Sequence, residues 1–407
     1  MFRSGLSCLV LLAGLVASVA GAEGAVAELA PSRRLARAES VVDGVVTARR
    51  STARELIVEL AVKRVLRGPS ATRLVLRCAA AVGTTPRLEV GQRVVAALGS
   101  EESGRRAPID GFAGVWTVAE VDAMEALSAA IGQLCGGLEG RDAKAARVEL
   151  ARLAVEHCAS PVPAVAALGL AELRHEGAVA ALSADGRRQL EATLVQRLVA
   201  SAELDEVGLL ALAEVSAALG RARPAALWVR HRRLGEFASV DLAVGRLLRV
   251  SVAKEARAAL VRRVTELQGA SGGAPVEQGA VGRRAGLIRV LAVAGERSIE
   301  PWLIESLRSG SDRRVLQALD AAARLGAPAS SSDDTERRAT VELDRAIRAL
   351  VAGREELSMV RAGLRALLIR GDSGLPRLLE ELGAEGATPE IRRLATDVRR
   401  RPQVYRR

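Results

Sequence analysis

The sequence predicts an α+β multidomain protein: a small five-stranded β-barrel followed by an all-α helical solenoid. Three observations predict it. Apolar residues sit in short β-branched runs over residues 39–118, then recur at helical spacing from about residue 120 onward. The chain is 49% hydrophobic but only 2% aromatic, so Ala, Leu and Val must fill the core, which favours closely packed helices over an aromatic sandwich. Several helical stretches end in glycine at intervals of roughly 30–45 residues, the spacing of a helical repeat.

The β-region spans residues 36–119. Ser40–Thr47 is β-branched and interrupted by Gly44; Glu55–Val62 runs on into a turn at Lys63–Pro69; Arg73–Arg77, Gly91–Leu98 and Phe112–Val118 complete the set. Five short strands in so little chain predict a closed or partly open barrel, because closure removes exposed edges. Phe112 and Trp116 are an even number of residues apart and share a face of their strand, which with Val118 assigns them to the barrel core.

Helices are expected at Val121–Leu138, Asp142–Cys158 and Val162–Leu173, then as two helices over Arg187–Leu219, and further at Pro224–Phe237, Asp241–Val250 and Ala253–Leu267. Gly269–Gly282 is a Gly/Ala/Ser linker. Beyond it come Arg283–Ala294, Glu300–Arg308, Arg313–Leu325, Glu336–Leu350, Ser358–Ile369, Leu375–Leu382 and Pro389–Arg400, then a basic tail at 401–407. Gly177, Gly220, Gly295, Gly326 and Gly371 follow helices and are expected in the left-handed conformation that ends them. An irregular helical bundle is the alternative to regular repeats.

The clearest unit is Ile299–Leu307, a polar turn with Ser311 or Asp312 as N-cap, and Arg313–Gly326, in which Leu316, Leu319 and Ala323 form one stripe. This unit resembles a HEAT repeat, including the Asp-Arg-Arg-Val entry to its second helix, and Gly374–Leu382 with Thr388–Ala395 repeats the scheme. The resemblance covers 281–400 and is degenerate over 120–268. The run Val62–Pro69, with Val90–Val94 and Gly111–Trp116, resembles the small OB-like β domain of exported bacterial proteins. Together these resemblances imply an exported protein with a long helical binding surface and no cofactor.

Residues 1–22 read as a secretory signal peptide: Arg3 supplies the positive start, Leu6–Val19 the apolar stretch, and Ala20-Gly21-Ala22 the small-x-small cleavage site before Glu23, with Ser18-Val19-Ala20 as a second possible cut. A retained anchor is the alternative, disfavoured because a span needs roughly 20 apolar residues. Export places the mature chain in the periplasm or outside the cell. Cys78, Cys135 and Cys158 then remain in an oxidising compartment. Cys135 and Cys158 flank one helical hairpin and either pair as a disulfide or serve as two buried thiols.

Familiar chemistry is poorly matched. Gly269-Ala-Ser-Gly-Gly273 has the form of a nucleophile elbow, but it follows a helix, and His157, His175 and His231 all precede it. Ser251-Val-Ala-Lys254 lacks the partner motifs of penicillin-interacting enzymes and reads as a helix N-cap. No lysine follows a glycine, which excludes a phosphate loop, and the histidines lack metal-ligand spacing. No catalytic residue, metal site or cofactor is therefore expected.

The formal charge is +11, carried by arginine with only Lys63, Lys144 and Lys254 beside it. Arg284, Arg289, Arg313, Arg314, Arg361, Arg365 and Arg392 recur near the starts of successive second helices, where HEAT-like stacks line their concave face. They are the candidate binding residues; a solvated face balanced by interleaved acids is the alternative. The expected function is protein–protein interaction or scaffolding with an envelope protein partner. The alternatives are binding of an anionic polymer or membrane surface through these arginines, and an enzyme with an unrecognised site. A specific nucleic-acid partner is not expected.

Overall fold

A computed structural model of the chain describes residues 30–52, 55–79, 88–102, 105–109, 114–201, 204–250, 253–269, 278–327, 334–384 and 387–406. Segment 1–22, expected to be a signal peptide, Ser251, Phe112 and most of the 269–282 linker lie outside the described residues. The chain divides into two compact units at Leu219/Gly220.

The first unit opens with a short helix, α1 (Pro31–Arg37), and six strands: β1 (Ser40–Ser51), β2 (Glu55–Arg67), β3 (Arg73–Ala79), β4 (Arg93–Glu102), β5 (Arg105–Pro108) and β6 (Val115–Thr117). Five of them close into a ring in the order β1-β2-β3-β5-β4, with β4 pairing back to β1. Every pairing is antiparallel except that of β3 with β5, which meet at Leu76 and Arg106. The five-stranded closed barrel is as expected, but its membership differs by one strand. Arg105–Pro108 supplies the fifth stave, whereas the 112–118 run contributes only β6, which pairs with β4 outside the ring.

β1 serves two neighbours at once and bends to do so. Its register with β2 shifts at Val41/Val42, Asp43/Gly44 and Val46/Ala48. Gly44, expected to interrupt this run, lies inside a continuous β1. It lets β1 press against β2 at a point where a Cβ would stand 2.8 Å from the Ala61 carbonyl oxygen.

Alternation then sorts the side chains. Val42, Val46, Leu56, Val58, Leu60, Leu76, Val94, Ala96 and Leu98 fill the barrel. The opposite faces of β1 and β4, carrying Val41, Val95 and Ala97, pack outward against α1 and α2 (Val121–Leu138). Trp116 is buried in this second core, against the helix layer and not inside the barrel. The barrel thus shares its outer core with α3 (Ala143–Ala159) and α4 (Pro163–Leu173), after which the first unit continues through α5 (Ala178–Ala181), α6 (Ala184–Val199) and α7 (Glu206–Leu219). Helices α3 and α4 cross so tightly at Gly169 that a Cβ there would lie 2.5 Å from the Cys158 nitrogen.

The second unit is wholly helical among the described residues. Its long elements are α8 (Ala222–Arg230), α9 (Ala238–Arg249), α10 (Lys254–Gly269), α11 (Gln278–Val293), α12 (Glu300–Leu307), α13 (Asp312–Leu325), α14 (Asp334–Ala352), α15 (Leu357–Arg370), α16 (Leu375–Gly383) and α17 (Pro389–Arg400), followed by the short α18 (Pro402–Tyr405). Consecutive helices pair as five hairpins. Odd-numbered α9, α11, α13, α15 and α17 each touch the next in one row, and even-numbered α8 and α10, and α12, α14 and α16, do so in a second. Two packed rows of hairpins make a solenoid-like layer. The five glycines expected to end helices, 177, 220, 295, 326 and 371, all have positive φ. Ser311 occupies the N-cap of α13 without a side-chain capping bond, whereas the Thr388 hydroxyl accepts from the Ile391 N–H at the start of α17. The 401–407 tail folds back in part, since α18 packs on α15 and α17.

Candidate functional site

The arginines singled out in the sequence fall into two physically different groups. Arg313, Arg314, Arg361 and Arg392 are exposed on α13, α15 and α17. Arg289 is instead internal glue. It sits midway along α11 and donates to the Oδ2 of Asp241 at 3.0 Å, while its Nε lies 3.9 Å from Asp320 on α13. Asp320 in turn accepts from Arg324 at 2.8 Å. One chain of alternating charges therefore ties α9, α11 and α13 together. Arg284 is half-buried, and its Nε is enclosed without a hydrogen-bond partner among the described residues. Arg365 is half-buried on α15. The structure does not bring the seven predicted arginines into one stripe.

Asp241 is wholly buried, and burial pushes its carboxyl up to about 7 despite the Gly235 N–H and the Arg289 guanidinium that favour its charged form. Its Oδ1 accepts from Gly235 at 2.9 Å and so pins the 231–237 turn, which is why α8 ends at Arg230 and does not run on to Phe237 as the apolar spacing implied.

Two further acids sit in a buried network between α12, α14 and α15. Arg370, with no exposed side-chain surface, donates through Nε to Asp344 at 2.5 Å and approaches Glu300 at 3.5 Å. Glu300 also accepts from Arg297 at 2.8 Å and from the Thr340 hydroxyl at 3.2 Å. Burial holds both acids above the usual carboxylate range against the pull of Arg370. Arg348 pairs with Asp372 nearby.

The first unit has a matching cluster on the barrel wall. Asp43 is wholly buried and accepts from Arg93 at 2.8 and 2.6 Å and from the Ser128 hydroxyl at 2.7 Å. Burial raises its carboxyl, but the bonds from Arg93 and Ser128 outweigh that and hold it below the usual range. Glu125 bridges Arg93 and Arg64, so α2 is locked to β1, β2 and β4 by charge as well as by packing.

Another set of arginines caps helix ends. Arg67 donates to the Leu35 carbonyl in the last turn of α1, Arg197 to those of Cys158 and Ser160 at the end of α3, and Arg263 to those of Val229 and His231 at the end of α8. Arg297 does the same for Gly326 after α13. A guanidinium suits this role because its several donors reach two orphan carbonyls at the negative end of a helix. Residue type alone did not single out these caps or the acids Asp43, Asp241, Glu300 and Asp344. A usable signal was present for Asp43 and Asp241: a lone acid inside an apolar run, Val-Val-Asp43-Gly and Ser-Val-Asp241-Leu.

Cys135 and Cys158 are both buried and unlinked, which corrects the disulfide alternative. Gly137 faces Leu150 and Leu153 and Gln133 meets His157, a stagger that sets Cys135 about one helical turn from Cys158. Burial pushes both thiols up to about 11, so they act as small apolar residues. Among the described residues no group of His, Cys, Asp and Glu is placed to hold a metal ion. A cavity of about 170 Å³ at Thr47, Glu59 and Arg73 on the barrel is smaller than the ~300 Å³ of an ordinary small-molecule pocket. A shallow groove of about 550 Å³ runs along α17 between Arg392, Arg393 and Arg400. No helix among the described residues is long and apolar enough to cross a membrane.

Comparison with protein-family models finds no match, and comparison with curated proteins finds none either.

Proposed function

We propose that this chain is an exported binding scaffold that performs no chemistry of its own: an OB-like barrel is followed along the chain by a HEAT-like hairpin array, and the array presents its outward helix faces to a protein partner in the cell envelope. The observation that carries the reading is the two-row packing of five hairpins in the second unit. Such arrays expose long surfaces of consecutive helices and bind through them. The entry of α13 through Asp312-Arg-Arg-Val315 supports the HEAT-like assignment. The ring order β1-β2-β3-β5-β4, closed by a parallel β3–β5 pair, supports the OB-like one. The buried acids Asp43, Asp241, Glu300 and Asp344 are committed to arginines inside the packing, which is why no reaction is assigned to them. The N-terminal signal sequence supports export.

The test is affinity capture from envelope extract on the immobilised full chain, at low and high salt. A discrete protein retained at high salt is the expected result. Loss of all binding with salt would overturn the reading, because an interface with an apolar core is little screened.

A further inference from the structure

The charge of this protein is distributed very unevenly. Residues 1–219 hold 24 Lys and Arg against 25 Asp and Glu, a net of −1, whereas residues 220–407 hold 35 against 23, a net of +12. The excess is steepest at the end of the second unit. Residues 389–407 carry Arg392, Arg393, Arg399, Arg400, Arg401, Arg406 and Arg407 against Glu390 and Asp397 alone.

Helix α17 turns this composition into a surface. Its apolar residues Ile391, Leu394, Ala395 and Val398 are buried, so the packed side is fully used. The groove on its outward side is lined by Pro389, Arg392, Arg393, Thr396, Asp397 and Arg400, residues that follow one another along a single helical stripe. The one acid in that stripe is already engaged: the Tyr405 hydroxyl donates to Asp397 Oδ2 at 2.7 Å, and Arg401 lies 4.0 Å away. The same bond holds α18 against α17, and Arg406 and the 61%-exposed Val404 flank Tyr405 as exposed residues. Arg392, Arg393, Arg400 and Arg406 form no salt bridge among the described residues.

We infer that this face, α17 with α18, docks on an anionic lipid bilayer through the phosphates of its headgroups. Four to eight basic residues on one face of an amphipathic helix match such a surface, and guanidinium groups take phosphate oxygens two at a time. The competing partners fit less well. A protein interface needs apolar or aromatic anchors at its centre, and this stripe offers Arg, Thr, Pro and Asp. A single-stranded nucleic acid needs stacking rings, and the neighbouring ring is Tyr405, tied to Asp397. The inference goes beyond the scaffold reading and does not rest on it; a scaffold partner lost at high salt would leave it standing.

The test is co-sedimentation of the full chain with vesicles of phosphatidylcholine, with and without phosphatidylglycerol. Binding is expected only with phosphatidylglycerol, falling steeply as salt is raised. Replacing the four unpaired arginines (R392Q, R393Q, R400Q, R406Q together) should weaken it by at least about tenfold. The corresponding lysine set should retain most of it. The control set R223Q, R246Q, R249Q, R262Q removes the same charge from exposed positions on α8, α9 and α10 and should leave binding nearly intact. Unchanged circular dichroism certifies the fold of each variant, since all eight sites are exposed and glutamine is a good helix former. No sedimentation with phosphatidylglycerol, or equal losses in the two glutamine sets, would overturn the inference. So would tighter binding to soluble polyphosphate than to the vesicles.

Discussion

Asp241 shows how much a single side chain can be asked to do. An unfolded chain ionises it in the ordinary carboxylate range, whereas the folded chain keeps it protonated up to about pH 7. Between those values the folded state binds the extra proton. Stability contributed at this site therefore declines as pH rises from about 4 to about 7 and is level above that. Glu300 and Asp344, also raised by burial, add to the same slope. Asp43 acts in the opposite sense: its stabilisation is complete above the ordinary carboxylate range and is lost as pH falls through its lowered value. Urea unfolding of Asp241→Asn across this range should show a shallower decline than the parent chain; an identical slope would count against the assignment. Glycine gives a second residue-scale prediction. Gly169→Ala drives a methyl against the backbone of α3 and should cost about 1–3 kcal/mol. Gly136→Ala on α2 meets nothing within 4 Å and should gain about 0.5–1 kcal/mol. Thermal unfolding of the pair separates the two signs.

At the scale of elements, what the sequence revealed and what it hid follow from range. Val121–Leu138 has the same bounds in sequence and structure, because a long apolar stripe at helical spacing identifies itself. The five strands were countable for a similar reason, through their β-branched runs. The stave Arg105–Pro108 escaped because four residues, Arg-Arg-Ala-Pro, hold no β-branched side chain; only its pairing with β4 and with the distant Leu76 makes it a strand. Pro224–Phe237 looked continuous because the contacts that stop it lie outside the run: Asp241, just beyond it, holds Gly235, and Arg263, more than thirty residues on, holds the carbonyls of Val229 and His231. Arg263→Ala should therefore loosen α8 specifically, at about 1–3 kcal/mol. Hydrogen exchange should speed up across Ala222–Arg230 while α15 keeps its protection. Uniform acceleration of both helices would argue that the bond to the helix end is incidental.

For the molecule as a whole, the arginine-rich composition has two uses that look alike in sequence. Arg289 and Arg313 are both arginines carried on helices, yet the first bridges three helices from a half-buried position and the second stands in solvent. The difference lies in which acid the fold brings near, and Asp241 is 48 residues away from Arg289. That is why the candidate surface was legible as a list of residues but not as an arrangement. The proposed export, by contrast, rests on local sequence alone and can be tested directly. Expressed in a bacterial host, the mature chain should begin at Glu23 or Gly21 by mass; a product retaining Met1 would contradict it. The division of labour among arginines has its own decisive measurement, equilibrium unfolding of single Arg→Gln variants drawn from both groups. Arg197, Arg263, Arg289, Arg297 and Arg370 should each lose more than about 1 kcal/mol, with Arg370 the worst because Glu300 and Asp344 are left buried and unpaired. Arg313, Arg314, Arg361 and Arg392 should stay within about 0.5 kcal/mol of the parent. Equal losses in the two groups would contradict the division.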